Sequence, residues 1–253
     1  YQAMCKFIDD GIKEIIEKLE ELDLKDNTII VFTSDHGDFM GEHGLLGKGE
    51  MLESAYRIPF LIKFPNKIKF HNNNKFLWSS VDFAPTLLSI IGVEPRDYHQ
   101  GFPFEGKYKR NVERKYIFAA ADRFDEHYDQ IRAVRDERYK YLRNYYVDKP
   151  YYLPLEYREN MNTMKEFLHL EEEGKLDSVQ LQWFRKSKPQ EELFDTFSDP
   201  HEIHNLAYNP DFREKLIELR GQCNMWIQAT DDKGFIPEAE QIKTFWPNNI
   251  LQH

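Results

Sequence analysis

Cysteine is scarce in this chain. Cys5 and Cys223 are its two thiols, far apart and without metal-type spacing, so no thiolate knuckle or disulfide framework is readable. Two buried thiols are expected rather than a pair. Long apolar runs are missing too; nothing approaches the length a transmembrane helix needs. No basic start leading into an apolar run and a small-residue cleavage site is visible, so no signal peptide is read. The first residue is Tyr1, inside a helical pattern, as expected of a fragment or processed piece, and the compartment stays open. Cations are in deficit. With 34 Lys and Arg against 44 Asp and Glu, the net charge of −10 argues against a broad nucleic-acid surface. A local positive pocket for a small anion remains compatible with that balance. No internal repeat or low-complexity tract is present, and Asn72-Asn73-Asn74 reads as a loop tip.

What is present fills an ordinary α/β frame. The 253 residues are 41% apolar, enough for one large domain or two small ones. Met4, Phe7, Ile8, Ile12, Ile15, Ile16, Leu19 and Leu22 recur at helical spacing and predict an amphipathic helix over 2–22. A turn at Asp26-Asn27 leads into a strand at 28–33. A second apolar run covers 57–64, with Pro59 hinting at an edge. Asp82, Pro85 and Gly92 frame a short helix over 82–91. A third strand at 116–120 ends at Asp122-Arg123. This order fits an α/β layer over residues 1–125. Residues 126–253 read as a smaller α+β subdomain: β-structure over 131–146, a helix at 158–172, a short strand at 192–195, and a long helix opened by Pro210.

Chemistry concentrates in residues 28–49, TIIVFTSDHGDFMGEHGLLGKG. Asp35 offers a hard anionic oxygen and His36 an imidazole nitrogen. Adjacent side chains of a continuing strand point to opposite faces, so both reach one point only if the strand ends there. Gly37 makes such a bend easy. Lys48, between Gly47 and Gly49, can bring an ammonium to an oxyanion without crowding. His43, beside Glu42, can brace the loop or a ligand. Each has a plainer reading: Asp35 caps backbone donors, His36 and Lys48 are solvated, and His43 is structural. Arg123 and His127 follow the third strand and, on α/β logic, share the rim with Asp35, where they could read sugar hydroxyls or a uronate. A solvated loop is the alternative. Arg132, Arg135, Arg138 and Arg143 alternate with acids, as on a soluble edge hairpin more than an anion-binding surface. Tyr145, Tyr146, Tyr151, Tyr152 and Tyr157 suit packing more than stacking on sugars.

The segment SDHGDFMGEHGLLGKGEMLESAYRIPFLIKFP resembles the C-terminal half of sulfatases of the alkaline-phosphatase superfamily. In these, a strand leads to Asp-Asn or Asp-His, then Gly, a Gly-Glu-His-Gly element and Gly-Lys, followed by a glutamate and Arg-x-Pro (here Glu53 and Arg57-Ile58-Pro59). Further similar pieces are Val81-Asp82-Phe83-Ala84-Pro85, Gln100-Gly101, Arg132-Ala133-Val134-Arg135, Tyr139-Lys140-Tyr141, Glu192-Leu193-Phe194-Asp195 and Asn205-Leu206-Ala207. The resemblance implies part of an alkaline-phosphatase-like α/β sandwich plus the smaller α+β subdomain. It implies Asp35 and His36 as ligands of a divalent ion, usually calcium, and Lys48 as the sulfate contact. Imidazole suits transition metals better than calcium. The implied substrate is a sulfated carbohydrate, with features similar to heparan N-sulfatase-like enzymes, and the implied setting is periplasmic, secreted or lysosomal. Oligomeric state stays open. The family's nucleophile, a formylglycine made in Cys/Ser-x-Pro-x-Arg, has no counterpart in these residues, so the chain alone is expected to be inactive. A phosphoesterase or phosphonate hydrolase, and a non-catalytic glycan-binding module, are the rival readings. A chain carrying only this half should also expose the apolar face of its first helix and leave its first strand without a neighbour on one side.

Overall fold

The structure, a computed structural model, describes residues 1–45, 47–65, 77–111 and 113–245. They form two compact units: Tyr1–Gly37 with the chain from Arg57 through Pro65, and Asp38–Tyr56 with the chain from Leu77 onward. The loop tip expected at 72–74 lies outside the described residues.

The first unit holds helix α1 (Gln2–Glu21) and strands β1 (Ile30–Thr33) and β2 (Phe60–Lys63). Apolar residues fall on one face of α1 as the spacing predicts, yet only Ile12, Ile16 and Leu19 are even half-covered. Met4, Phe7, Ile8 and Ile15 stand in solvent, Phe7 at 81% exposure. Cys5 shares that exposure, contrary to the expectation of a buried thiol, because nothing among the described residues buries any part of this helix; Cys223 is buried. β1 and β2 pair antiparallel, Ile30 opposite Lys63 and Thr33 opposite Phe60. Each has one partner among the described residues, so the bare edge expected for β1 is present, and β2 has one as well.

The second unit contains α2 (Glu53–Tyr56), α3 (Phe83–Ile90), β3 (Ile117–Phe124), β4 (His127–Arg135), β5 (Tyr139–Asn144), α4 (Glu156–Glu159), α5 (Asn162–Glu172), β6 (Glu191–Asp195), α6 (Arg213–Ala229) and α7 (Glu238–Phe245). Its sheet runs β3-β4-β5-β6, every pairing antiparallel. This corrects the placement of the third strand. It is the edge of this sheet and not part of an α/β layer, so the expected division at 125/126 falls inside the β3–β4 turn. The physical reason is that both its faces are used. Tyr116 and Phe118 join the cluster of Val134, Tyr141, Leu193, Leu219 and Cys223 under α6, with Phe118 stacked on Trp226 at 5.2 Å. Ala119, Ala121 and Phe124 pack on the other face against Met51, Ile131, Leu142 and Phe194.

A third cluster holds the 39–55 loop. Phe39, Leu45 and Ala55 pack with Met164, Phe167, Leu176 and Trp183, which come from α5 and the segment after it. Gly44 is fixed by this packing: its φ is +77° and an added Cβ would overlap the Phe167 ring. α3 starts where Asp82 and Ser79 form a reciprocal cap. Buried Asp82 also accepts from Phe102 N–H at 2.7 Å and pairs with Arg114. Gly101 in the Gln100-Gly101 pair has no room for a side chain, because Val81 O occupies that space.

Candidate functional site

At the end of β1 the chain turns and two donors meet. Asp35 Oδ2 and His36 Nε2 lie 3.3 Å apart, with Asp35 largely exposed and His36 partly so. Three contacts set the turn. Ser34 Oγ donates to His36 O at 2.6 Å, His36 N–H donates to Asp35 Oδ1 at 3.0 Å, and His36 Nδ1 lies 2.7 Å from Gly37 O. A carbonyl only accepts, so Nδ1 donates to Gly37 O, and Nε2 is the ring nitrogen beside the carboxylate. Two such ligand atoms this close suit a shared proton or a cation. The side chains converge because the strand stops at Thr33 and the chain bends at Asp35, two residues before Gly37.

Lys48 and His43 belong to the second unit. Their loop closes on itself through Phe39 N–H to Gly47 O at 2.9 Å and Gly41 N–H to Leu45 O at 2.7 Å. Gly47 and Gly49 take φ of +83° and +150°, conformations in which a side chain would be strained, and between them Lys48 is exposed. His43 itself adopts φ +55°. Burial pushes its imidazole below the usual value, against a backbone hydrogen bond with His201 and the charge of Glu42. Glu42 pairs with His201 at 3.3 Å and accepts from Ser54, so the Gly-Glu-His-Gly element is tied down at its glutamate.

The 123–127 turn is engaged within the second unit. Arg123 Nε donates to Asp125 O at 2.7 Å and its guanidinium pairs with Glu238 of α7. His127 Nε2 lies 2.8 Å from Pro154 O. Of the four arginines read as a soluble hairpin, Arg132 is an internal fastener instead, Arg135 and Arg143 are partly covered, and Arg138 is exposed as that reading expects. Arg132, its side chain fully buried, bonds Asp232 at 2.6 and 2.9 Å and Asp122 at 2.8 Å. Arg135 faces Glu53, Arg138 clasps Asp195, and Arg143 donates to Asn224. Four of the five tyrosines pack as expected, Tyr151 on Trp183, Tyr152 on Phe184, Tyr145 on Phe235 and Tyr146 on Tyr128, while Tyr157 is exposed.

A network under the Lys48 loop escaped the residue-level reading. Glu53 lies 3.3 Å from Arg135 and 3.6 Å from Lys140. Glu202, buried and at φ +55°, accepts the Glu53 N–H at 2.6 Å and sits 2.7 Å from Lys140 Nζ. Glu50, also buried, faces Arg158 at 3.9 Å. Burial raises its carboxyl to about 7, opposed by Arg158 and Lys188. The clue available beforehand was that Glu53 and Lys140 both stand in the motifs quoted above.

Residues 1–93 match the family model described as Sulfatase. An ulvan-active sulfatase of Formosa agariphila is 49% identical over 245 residues, covering 97% of this chain and 40% of the relative. An N-acetylglucosamine-6-O-sulfatase of Bacteroides thetaiotaomicron is 42% identical over 101 residues, 40% of this chain and 18% of that protein. A solved structure of a protein in complex with its substrate D-glucosamine-2-N,6-O-disulfate superposes with a TM-score of 0.69 at 25% identity, covering 94% of this chain and 42% of the other. The chain therefore spans about 40% of the length of the first relative and about 42% of that structure. With its strand-end Asp-His, its Gly-Lys-Gly loop and its mixed α/β architecture, this chain belongs to the sulfatase family and carries the C-terminal part of the alkaline-phosphatase-like fold.

Proposed function

We propose that the intact protein is a sulfuric ester hydrolase acting on a sulfated carbohydrate, and that this chain supplies metal-facing and anion-facing side chains of its site. The observation that carries the reading is the convergence of Asp35 Oδ2 and His36 Nε2 at 3.3 Å on a chain 49% identical to an ulvan-active sulfatase. That separation is close to the spacing of two donors each about 2.3 Å from one ion at right angles. The pair fits a divalent cation. No trio of His, Cys, Asp or Glu arranged for a metal occurs among the described residues, so Asp35 and His36 furnish part of a ligand set. Calcium is the family's usual ion, while the imidazole donor widens the choice toward transition metals.

Bound there, the ion supplies Lewis-acid polarisation of the ester. The chain's own residues do the rest of the work assigned here. The Gly37 carbonyl accepts from Nδ1 and so orients the ring with Nε2 toward the Asp35 carboxylate, and Ser34 holds the backbone of the turn. Lys48 balances negative charge on the sulfate as the leaving oxygen departs. His43, neutral through burial, braces the loop. Arg123 meets the glycan by exchanging its exposed Glu238 pair, which holds it weakly, and His127 lies on the same turn. The nucleophile is a formylglycine on a residue outside these 253. A periplasmic, secreted or lysosomal setting accords with the reading.

The test uses full-length protein carrying formylglycine. Sulfate release from sulfated sugars is expected, falling with chelator and restored by divalent ion, and Asp35→Ala should remove most of it. Phosphate or phosphonate release dominating by orders of magnitude would move the protein to a phosphoesterase. Release from neither set would leave a glycan-binding module.

A further inference from the structure

Behind the Lys48 loop the second unit holds a partly open cavity of about 140 Å³, lined among others by Glu50, Asn144, Tyr151, Trp183, Glu192 and Phe194. Three polar atoms of this lining have no hydrogen-bond partner among the described residues: Glu202 Oε1, which still faces the Lys140 ammonium at 2.7 Å, and Asn144 Oδ1 and the Trp183 indole N–H. Neither of the latter two can turn to solvent. Asn144 is 2% exposed and Trp183 5%. The Asn144 amide is held in one orientation, because its Nδ2 donates at 2.8 Å to Pro189 O, which can only accept, and at 2.9 Å to Glu192 Oε2. Flipping it would break the first of these bonds. Trp183 is held by its stack on Tyr151, 5.4 Å between centroids and 17° between planes, and by Tyr152 N–H donating to its carbonyl at 3.0 Å.

The occupant must accept from an indole N–H, donate to an amide oxygen, and tolerate the Glu50 and Glu192 carboxyl groups. A metal ion cannot take the indole proton, and no metal-type trio of side chains exists here among the described residues. An apolar guest would leave both atoms bare. We propose that this cavity is a hydration site holding a cluster of water molecules, one accepting from Trp183 and one donating to Asn144, with the rest bridging to the carboxyl groups. At about 30 Å³ of liquid volume per molecule, the space takes roughly five. The loop that carries Lys48 and Glu50 therefore rests partly on exchangeable water, and water links it to β6 through Glu192.

The deciding experiment is a crystal structure of the full-length protein, with a second crystal pressurised under xenon. Ordered waters are expected within about 3 Å of Trp183 Nε1 and Asn144 Oδ1, and no xenon. In Trp183→Phe, which keeps the ring stack, the water bound to Nε1 should vanish while those at Asn144 stay. A cavity closed by side chains, xenon density inside it, or a retained molecule larger than water would each overturn the proposal. The parent crystals decide the matter even where the variant fails to fold.

Discussion

Truncating Glu202 should destabilise the protein well beyond what an ordinary charged-residue deletion does. Its side chain is 1% exposed and that of Lys140 4%, with 2.7 Å between carboxylate and ammonium. Glu202 also accepts the N–H of Glu53, the first residue of α2, at 2.6 Å. In Glu202→Ala the Lys140 ammonium keeps one carboxylate, Glu53 at 3.6 Å, which Arg135 already shares at 3.3 Å. Removing one member of a buried pair leaves the other charge stranded, at a cost of about 3–5 kcal/mol. At roughly 2–4 °C per kcal/mol for a chain of this size, the midpoint of thermal unfolding should fall by about 6–20 °C. The assay is thermal and urea denaturation of the full-length protein, with the urea slope unchanged. A companion double variant sharpens it. Lys140→Met with Glu202→Leu replaces both charges by apolar groups of similar shape and should recover most of the loss. A midpoint shift under about 2 °C for Glu202→Ala, less than 1 kcal/mol on the same scale, would refute the reasoning. So would a double variant no better than the single one.

Three further outcomes follow from the same geometry. Glu50 titrates at about 7 in the native state against an ordinary 4.5, so the folded protein binds the extra proton and loses stability as pH climbs from 4.5 to 7. Glu50→Gln should flatten that part of the curve, on the order of 3 kcal/mol across the window, and unfolding midpoints for both proteins from pH 4 to 8 that run parallel would contradict it. Gly44→Ala meets the Phe167 ring and a φ of +77°, and should lose about 2–4 kcal/mol in urea unfolding; a neutral result would mean the loop relaxes freely. Lys48→Ala should lower kcat for sulfate release by about 10²–10³-fold while leaving the unfolding midpoint in place, since the residue is exposed; a change confined to KM would make it a binding lysine only.

Local features were readable from sequence because local physics decides them. The helix at 2–22 appears as α1 over Gln2–Glu21, since the periodicity of Ile12, Ile16 and Leu19 needs no partner to be seen. Pro210 opens the turn into α6, and Asp82, Pro85 and Gly92 frame α3, because each acts on its own stretch of backbone. The Asp35–His36 convergence is of the same kind: adjacent residues meet once the strand ends at Thr33.

The errors arise where a distant segment decides whether a face is wet. Arg132 alternates with apolar neighbours in β4 and reads as a solvent-facing cation. Yet α6 and the turn at 232–235 cover that face, and Asp232, one hundred positions away, receives the guanidinium. Glu202 and Glu53 are 149 positions apart and meet through one hydrogen bond. The third strand went astray for a related reason. Its period of two shows that side chains alternate, but Phe118 and Ala119 look alike whether the sheet is parallel and buried or antiparallel and flanked by α6 on one side and Met51 on the other. Cys5 makes the converse case. Its residue type favours burial, but burial needs a covering surface, and α1 has none among the described residues. Composition predicts what a side chain prefers. Only the tertiary neighbour, here supplied across a hundred or more residues, settles whether the preference is met.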